Sequence, residues 1–163
     1  MPDRILLVHF DTHKENIIWF WSAIAAGSIP AVSTPLAVDP VARERHLTHL
    51  QRLLERPNVL TSVKHTDDLS IIDESQKFFI EDLASNADQS ADYKPASPSS
   101  DLALLLLTSG STGNAKAVML HHSQIFAAIE AKWKALSSTP ENIFLNWIGK
   151  NDSPVAPGPY RWS

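Results

Sequence analysis

LLLLTSGSTGNAKAVMLHH, Leu104 to His122, decides how this chain is read. Four leucines run into small and hydroxylated residues, then a single lysine, then a second apolar run. Short apolar runs bounded by turn residues read as buried strands. Leu102–Leu107 is therefore the strongest predicted strand and Ala117–Leu120 a second, with the glycine-bearing segment between them. A strand that ends in such a segment suits phosphate. Gly110 and Gly113 permit positive φ and a close approach of the backbone to a ligand. Successive backbone N–H groups can then point inward as an anion nest. Thr108, Ser109, Ser111 and Thr112 add hydroxyl donors, and Lys116 adds a positive charge.

Two familiar phosphate signatures do not fit. The Walker A pattern needs its second glycine later and a Ser or Thr after the lysine, where Ala117 stands; the dinucleotide pattern G-x-G-x-x-G is absent. A plain tight turn between two strands remains the alternative reading of these residues alone.

The rest of the chain alternates strands and helices. Ile5–Phe10 reads as a strand. Thr12 and Glu15 have capping-box spacing and open a helix over Lys14–Ala26, which Gly27 ends. That helix is apolar almost all round, which predicts packing on more than one side, with Trp19, Phe20 and Trp21 in the core. Ile29–Ser33 is a strand that Pro30 confines to an edge or to a strand start. Asp39 caps the next helix, Pro40 takes its first position, Leu47, Leu50 and Leu54 form its stripe, and Pro57 ends it. Val59–Val63 and Lys77–Ile80 are further strand candidates. Ser123 is a possible cap for a helix carrying Ile125, Ile129, Trp133 and Leu136, and Ile143–Trp147 is a last strand. This alternation predicts an α/β layer fold with parallel strands and flanking helices. Residues 84–100 are polar and rich in Pro and Ser, which predicts a mobile surface segment; residues 150–163 have no periodicity and are expected to be disordered.

TSGSTGNAKAV resembles the phosphate-loop signature of the adenylate-forming (AMP-binding) superfamily. That group includes acyl- and aryl-CoA ligases, luciferases and the adenylation domains of nonribosomal peptide synthetases. The signature runs Thr-Ser-Gly-Ser-Thr-Gly-x-Pro-Lys-x-Val, and one position differs: Ala115 stands where proline is usual. WSAIAAGSIPAVSTPL, Trp21–Leu36, and LHHSQIF, Leu120–Phe126, resemble the flanking family segments. The chain is most similar in flavour to fungal synthetase-like enzymes, over about Ile5 to Gly149.

The resemblance implies an incomplete three-layer N-terminal subdomain over residues 1–149 and the reaction carboxylate + ATP → acyl-AMP + pyrophosphate. It gives Thr108, Ser109, Gly110, Ser111, Thr112, Gly113 and Lys116 the task of holding the β- and γ-phosphates, with ATP and Mg²⁺ as cofactors and a carboxylic acid as substrate. The family's aromatic platform for adenine, its acid for Mg²⁺, its aspartate for the ribose and its C-terminal lysine have no counterpart in these 163 residues. No catalytic or metal-ligating residue is therefore assigned. The expectation is a truncated adenylating ligase domain that does not adenylate alone. The competing readings are a non-enzymatic binding or decoy module, a product of an erroneous gene model, and an independent nucleotide-binding domain. Truncation would also leave the Leu102–Leu107 run as an apolar edge prone to aggregation.

Composition narrows the partners. A net charge of −4 offers no basic stripe for nucleic acid. No apolar run approaches the roughly 20 residues that a bilayer requires. The N-terminus lacks the basic region and cleavage site of a signal peptide. The chain has no cysteine, which excludes disulfides and thiolate metal sites and suits the reducing cytoplasm. His46 and His49 share one helix face, read as exposed for want of a third ligand. His121 and His122 read as strand-end histidines, a general-base role lacking a visible carboxylate partner. Asp67, Asp68, Glu81 and Asp82 read as solvated turns or caps.

Overall fold

The structure, a computed structural model, describes residues 4–85, 102–108, 115–137, 139 and 142. The strand expected at 143–147, the segment 86–100 and the tail 150–163 lie outside the described residues. The described elements run β1 (Ile5–Val8), α1 (His13–Ala25), β2 (Ile29–Val32), α2 (Pro40–Leu53), β3 (Asn58–Thr61), β4 (Lys77–Phe79), α3 (Ile80–Ser85), β5 (Leu102–Thr108), β6 (Lys116–His121) and α4 (His122–Ala135). The strands form one sheet in the order β4-β3-β1-β2-β5-β6. All pairs are parallel except β5–β6, which is antiparallel. The connection from Thr108 to Lys116 is too short for a crossover, so the second strand can only fold straight back.

The strand alternation sorts side chains to two faces. Leu7, Ile29, Val59, Leu105 and Leu107 join Leu47, Leu50 and Leu54 of the α2 side in the larger core. Val8 and Leu60 point the other way and join Phe10, Trp19 of α1 and Ile80 of α3. The result is a three-layer α/β arrangement, α2 on one face and α1 with α3 on the other.

Helix ends follow their local chemistry. Thr12 Oγ1 accepts from the Glu15 N–H at 3.1 Å and donates to Glu15 Oε2 at 2.7 Å, so Glu15 reaches back to the hydroxyl. Gly27, at φ +76°, closes α1 while the Ser28 N–H donates to the Ala23 carbonyl. Asp39 Oδ2 accepts from the Ala42 N–H at 2.8 Å at the start of α2. The other end of α2 turns through two non-glycine residues in the left-handed region, Glu55 and Arg56, ahead of Pro57.

Several expectations change. In α1 only Asn16 and Ala23 are buried; Trp21 is exposed, Phe20 half-buried and Trp19 partly buried against Phe10. The helix lies on one sheet face and its far side looks outward. β2 is an interior strand, with Pro30 second from its start. Beside β5 its pairing is confined to Ala31 and Leu105, so the missing proline N–H breaks little. β5 is also interior, and the edge on that side is β6. α4 is capped by His121 rather than Ser123: the His121 N–H donates to Gln124 Oε1 at 2.9 Å.

Candidate phosphate-binding site

β1, β2, β3 and β5 point the same way, so their C-terminal ends share one edge of the sheet. In open α/β sheets ligands collect at that edge. Thr108 ends β5 there, and Lys116 begins β6 directly opposite, as the last residue pair of the hairpin. Thr108 is half-buried and Lys116 exposed. The two ends of the glycine-bearing segment are thus held side by side, with a hydroxyl and an ammonium at its mouth. Ser109, Gly110, Ser111, Thr112 and Gly113 lie outside the described residues.

α2 approaches this edge from one face. Ala115 is buried in the same core cluster as Leu47 and Leu50. His49 Nε2 stands 2.6 Å from the Ala115 carbonyl oxygen, and His46 Nε2 stands 3.3 Å from Thr34 Oγ1, just beyond β2. The two histidines are half-buried and engaged, not on an exposed helix face. Burial, then the charge of His49, lowers the pKa of His46 from its ordinary value. Helical spacing showed that they share a face but not what covers it.

A second polar group sits at the ends of β1 and β3. His9 and His65 are both buried, with ring centroids 4.9 Å apart in an edge-on arrangement. Burial, and next the charge of His65, pushes His9 down from 6.5 to about 4. His65 Nδ1 lies 3.8 Å from Asp68. His65 Nε2 makes no hydrogen bond, its nearby carboxylate oxygen on Asp11 being 3.5 Å away. Arg43 of α2 pairs with Asp68 at 2.5 Å, and Lys64 pairs with Asp11 at 3.1 Å. The Asp11 hydrogen bond raises Lys64 above its usual range. Glu81 accepts from Ser62 Oγ at 2.5 Å and from the Val63 N–H at 3.2 Å, and the Ser62 bond lowers its pKa. Asp68 ties α2 to the chain after β3, while Glu81 is solvent-exposed in the first turn of α3 and also holds Ser62 and Val63. Sequence patterning does not single out His9 and His65; the available signal is a polar residue following directly on the apolar Ile5–Val8 run.

His121 ends β6 and His122 opens α4, its ring stacked on Phe126 at 6.4 Å. Among the described residues no group of histidines and carboxylates is arranged to hold a metal ion. An open cleft of about 700 Å³ lies elsewhere, between the last turns of α2 and residues 70–76, and its lining includes neither Thr108 nor Lys116. The Thr108–Lys116 pair, not cleft volume, marks the candidate site.

Comparison with known proteins places the chain in a family. The family model described as AMP-binding enzyme matches residues 19–149. The chain is 43% identical over 151 residues to the nonribosomal peptide synthetase acyN of Ascocoryne sarcoides, covering 91% of this chain and 16% of that protein. It is 42% identical over 150 residues to microperfuranone synthase of Emericella nidulans, covering 90% of this chain and again 16% of the relative. The chain thus spans about a sixth of the length of these relatives. Its fold is similar to part of the fatty acyl-adenylate ligase from L. pneumophila, solved with acyl adenylate and pyrophosphate: TM-score 0.67 at 23% identity, covering 86% of this chain and 24% of that one. By its glycine-bearing hairpin, its layered sheet and these likenesses, the chain belongs to the AMP-binding enzyme family.

Proposed function

We propose that residues 108–116 form the phosphate-binding loop of an adenylating ligase domain that joins a carboxylate to AMP and releases pyrophosphate. The observation that carries this reading is the Thr108–Lys116 pair at the C-terminal edge of the sheet. It sets a hydroxyl donor and a cation on either side of the segment that holds Ser109, Gly110, Ser111, Thr112 and Gly113. In this reading those residues bind the β- and γ-phosphates of ATP. Their donors and the Lys116 charge stabilise the negative charge that gathers on the leaving pyrophosphate. Mg²⁺ bound with the nucleotide would supply further neutralisation of that charge; among the described residues no group is arranged to hold it. The cytoplasm, rich in ATP, is the compartment that fits.

The same reading makes these 163 residues a partial machine: they grip polyphosphate but form no acyl-adenylate on their own. The small share of each relative that the chain spans supports this. Radiolabelled pyrophosphate tests both halves. The purified chain is expected to retain pyrophosphate in equilibrium dialysis, to lose it in Lys116→Ala, and to catalyse no substrate-dependent exchange of label into ATP. Retention that ignores Lys116 would overturn the loop assignment. Exchange by the chain alone would overturn the assignment as a partial domain.

A further inference from the structure

α2 reaches across to the base of the loop. His49 Nε2 lies 2.6 Å from the carbonyl oxygen of Ala115, 66 positions away in sequence. A carbonyl oxygen only accepts, so this ring nitrogen carries the proton and donates. Ala115 is 6% exposed and packs in one cluster with Leu47 and Leu50, which flank His49 on the same helix. α2 therefore grips Ala115 twice, through apolar contact and through one directed hydrogen bond. The next residue is Lys116, whose position against Thr108 defines the mouth of the hairpin. The usual proline of the family pattern would fix φ at this point through its ring. Alanine leaves φ free, and the hydrogen bond to its carbonyl adds a different restraint, holding the 115–116 peptide plane.

We propose that His49 is a positioning residue for Lys116: its Nε2–H fixes the Ala115 carbonyl and so sets where Lys116 meets a polyphosphate. His49 does not touch the phosphate. Its effect passes through the backbone at 115–116. The proposal rests on the phosphate-loop reading, and its test separates the two.

Three forms of the chain are compared: wild type, His49→Ala and His49→Gln. Glutamine keeps an N–H donor near the position of Nε2. Ring ¹⁵N shifts of wild-type His49 are expected to report the Nε2–H tautomer. Hydrogen exchange without ligand is expected to quicken in His49→Ala at residues 116–118 and to stay unchanged in β1 and β3. Pyrophosphate affinity is expected to fall about tenfold in His49→Ala, the loss of one hydrogen bond. His49→Gln is expected to restore both. A folded His49→Ala with unchanged exchange overturns the proposal. So does a folded His49→Gln no better than His49→Ala, since the ring's bulk and not its donated bond would then matter. If His49→Ala unfolds, His49→Gln decides alone: wild-type exchange and affinity support the proposal, and loss of either overturns it. If the wild-type chain ignores pyrophosphate, the functional reading fails, and the exchange comparison still decides whether His49 holds Ala115.

Discussion

His9 follows β1 with its ring buried, and its pKa near 4 has a consequence for stability. His65, Asp11, Asp68 and His46 are the charged or titratable groups that act on it. The two histidines reinforce the burial effect and the two carboxylates oppose it. The unfolded chain takes up a proton near 6.5, while the folded chain resists until about 4. Stability from this residue is thus fully present above pH 6.5 and is lost as the pH falls toward 4. The loss is at most roughly 3.5 kcal/mol, because each pH unit between the two proton affinities is worth about 1.4 kcal/mol. His9→Gln removes the titration, so urea midpoints measured from about pH 7 to pH 4.5 are expected to fall less steeply than in wild type. Equal slopes would show that the burial of His9 carries no such linkage. At this scale the sequence was legible where chemistry is local: Thr12 and Asp39 were readable as caps from their spacing. The surroundings of His46, His49, His9 and His65 were not readable, because they are made by residues far away in the chain.

Elements obey their caps and stripes. Thr12→Ala removes the acceptor for the Glu15 N–H and is expected to lower stability by about 1 kcal/mol, read from the denaturation midpoint. Leu47, 1% exposed, sits under the sheet among Leu7, Ala31 and Leu50. Leu47→Ala is expected to cost about 2–5 kcal/mol, the usual range for such a cavity, and the same titration checks it. Periodicity gave α1 and α2 to within a residue or two, yet it misjudged the surroundings of α1. An all-round apolar helix predicts cover on several sides, whereas Ile18 is nearly half exposed and Trp21 more than half. A pattern of side chains records what a helix can bury, not what its neighbours bury. α3 was missed because six residues are too few to show a period.

The whole molecule shows what local reading cannot supply. Alternating strands and helices announced an α/β sheet, and the sheet is one. The strand order and the antiparallel return of β6 depend on contacts between distant segments and on the short span from Thr108 to Lys116. The same end of the sheet carries much exposed apolar surface. Leu106 and Val118 are paired across β5–β6 and are 52% and 43% exposed. Along α4, Phe126, Ile129, Trp133 and Leu136 are all more than half exposed at helical spacing. Exposed apolar side chains in such number favour association. The purified chain is expected to self-associate in sedimentation experiments at micromolar concentration, and Phe126→Glu with Trp133→Glu is expected to shift it toward monomer. An unchanged distribution would place the sticky surface elsewhere.

Whether the Thr108–Lys116 segment grips polyphosphate is decided most directly by calorimetric titration of the folded chain with ATP. A working loop predicts saturable binding, displaced by pyrophosphate but not by adenosine, and weakened about tenfold or more in Lys116→Ala, a charge-assisted contact being lost. ATP binding that adenosine displaces and that Lys116→Ala leaves unchanged would contradict it.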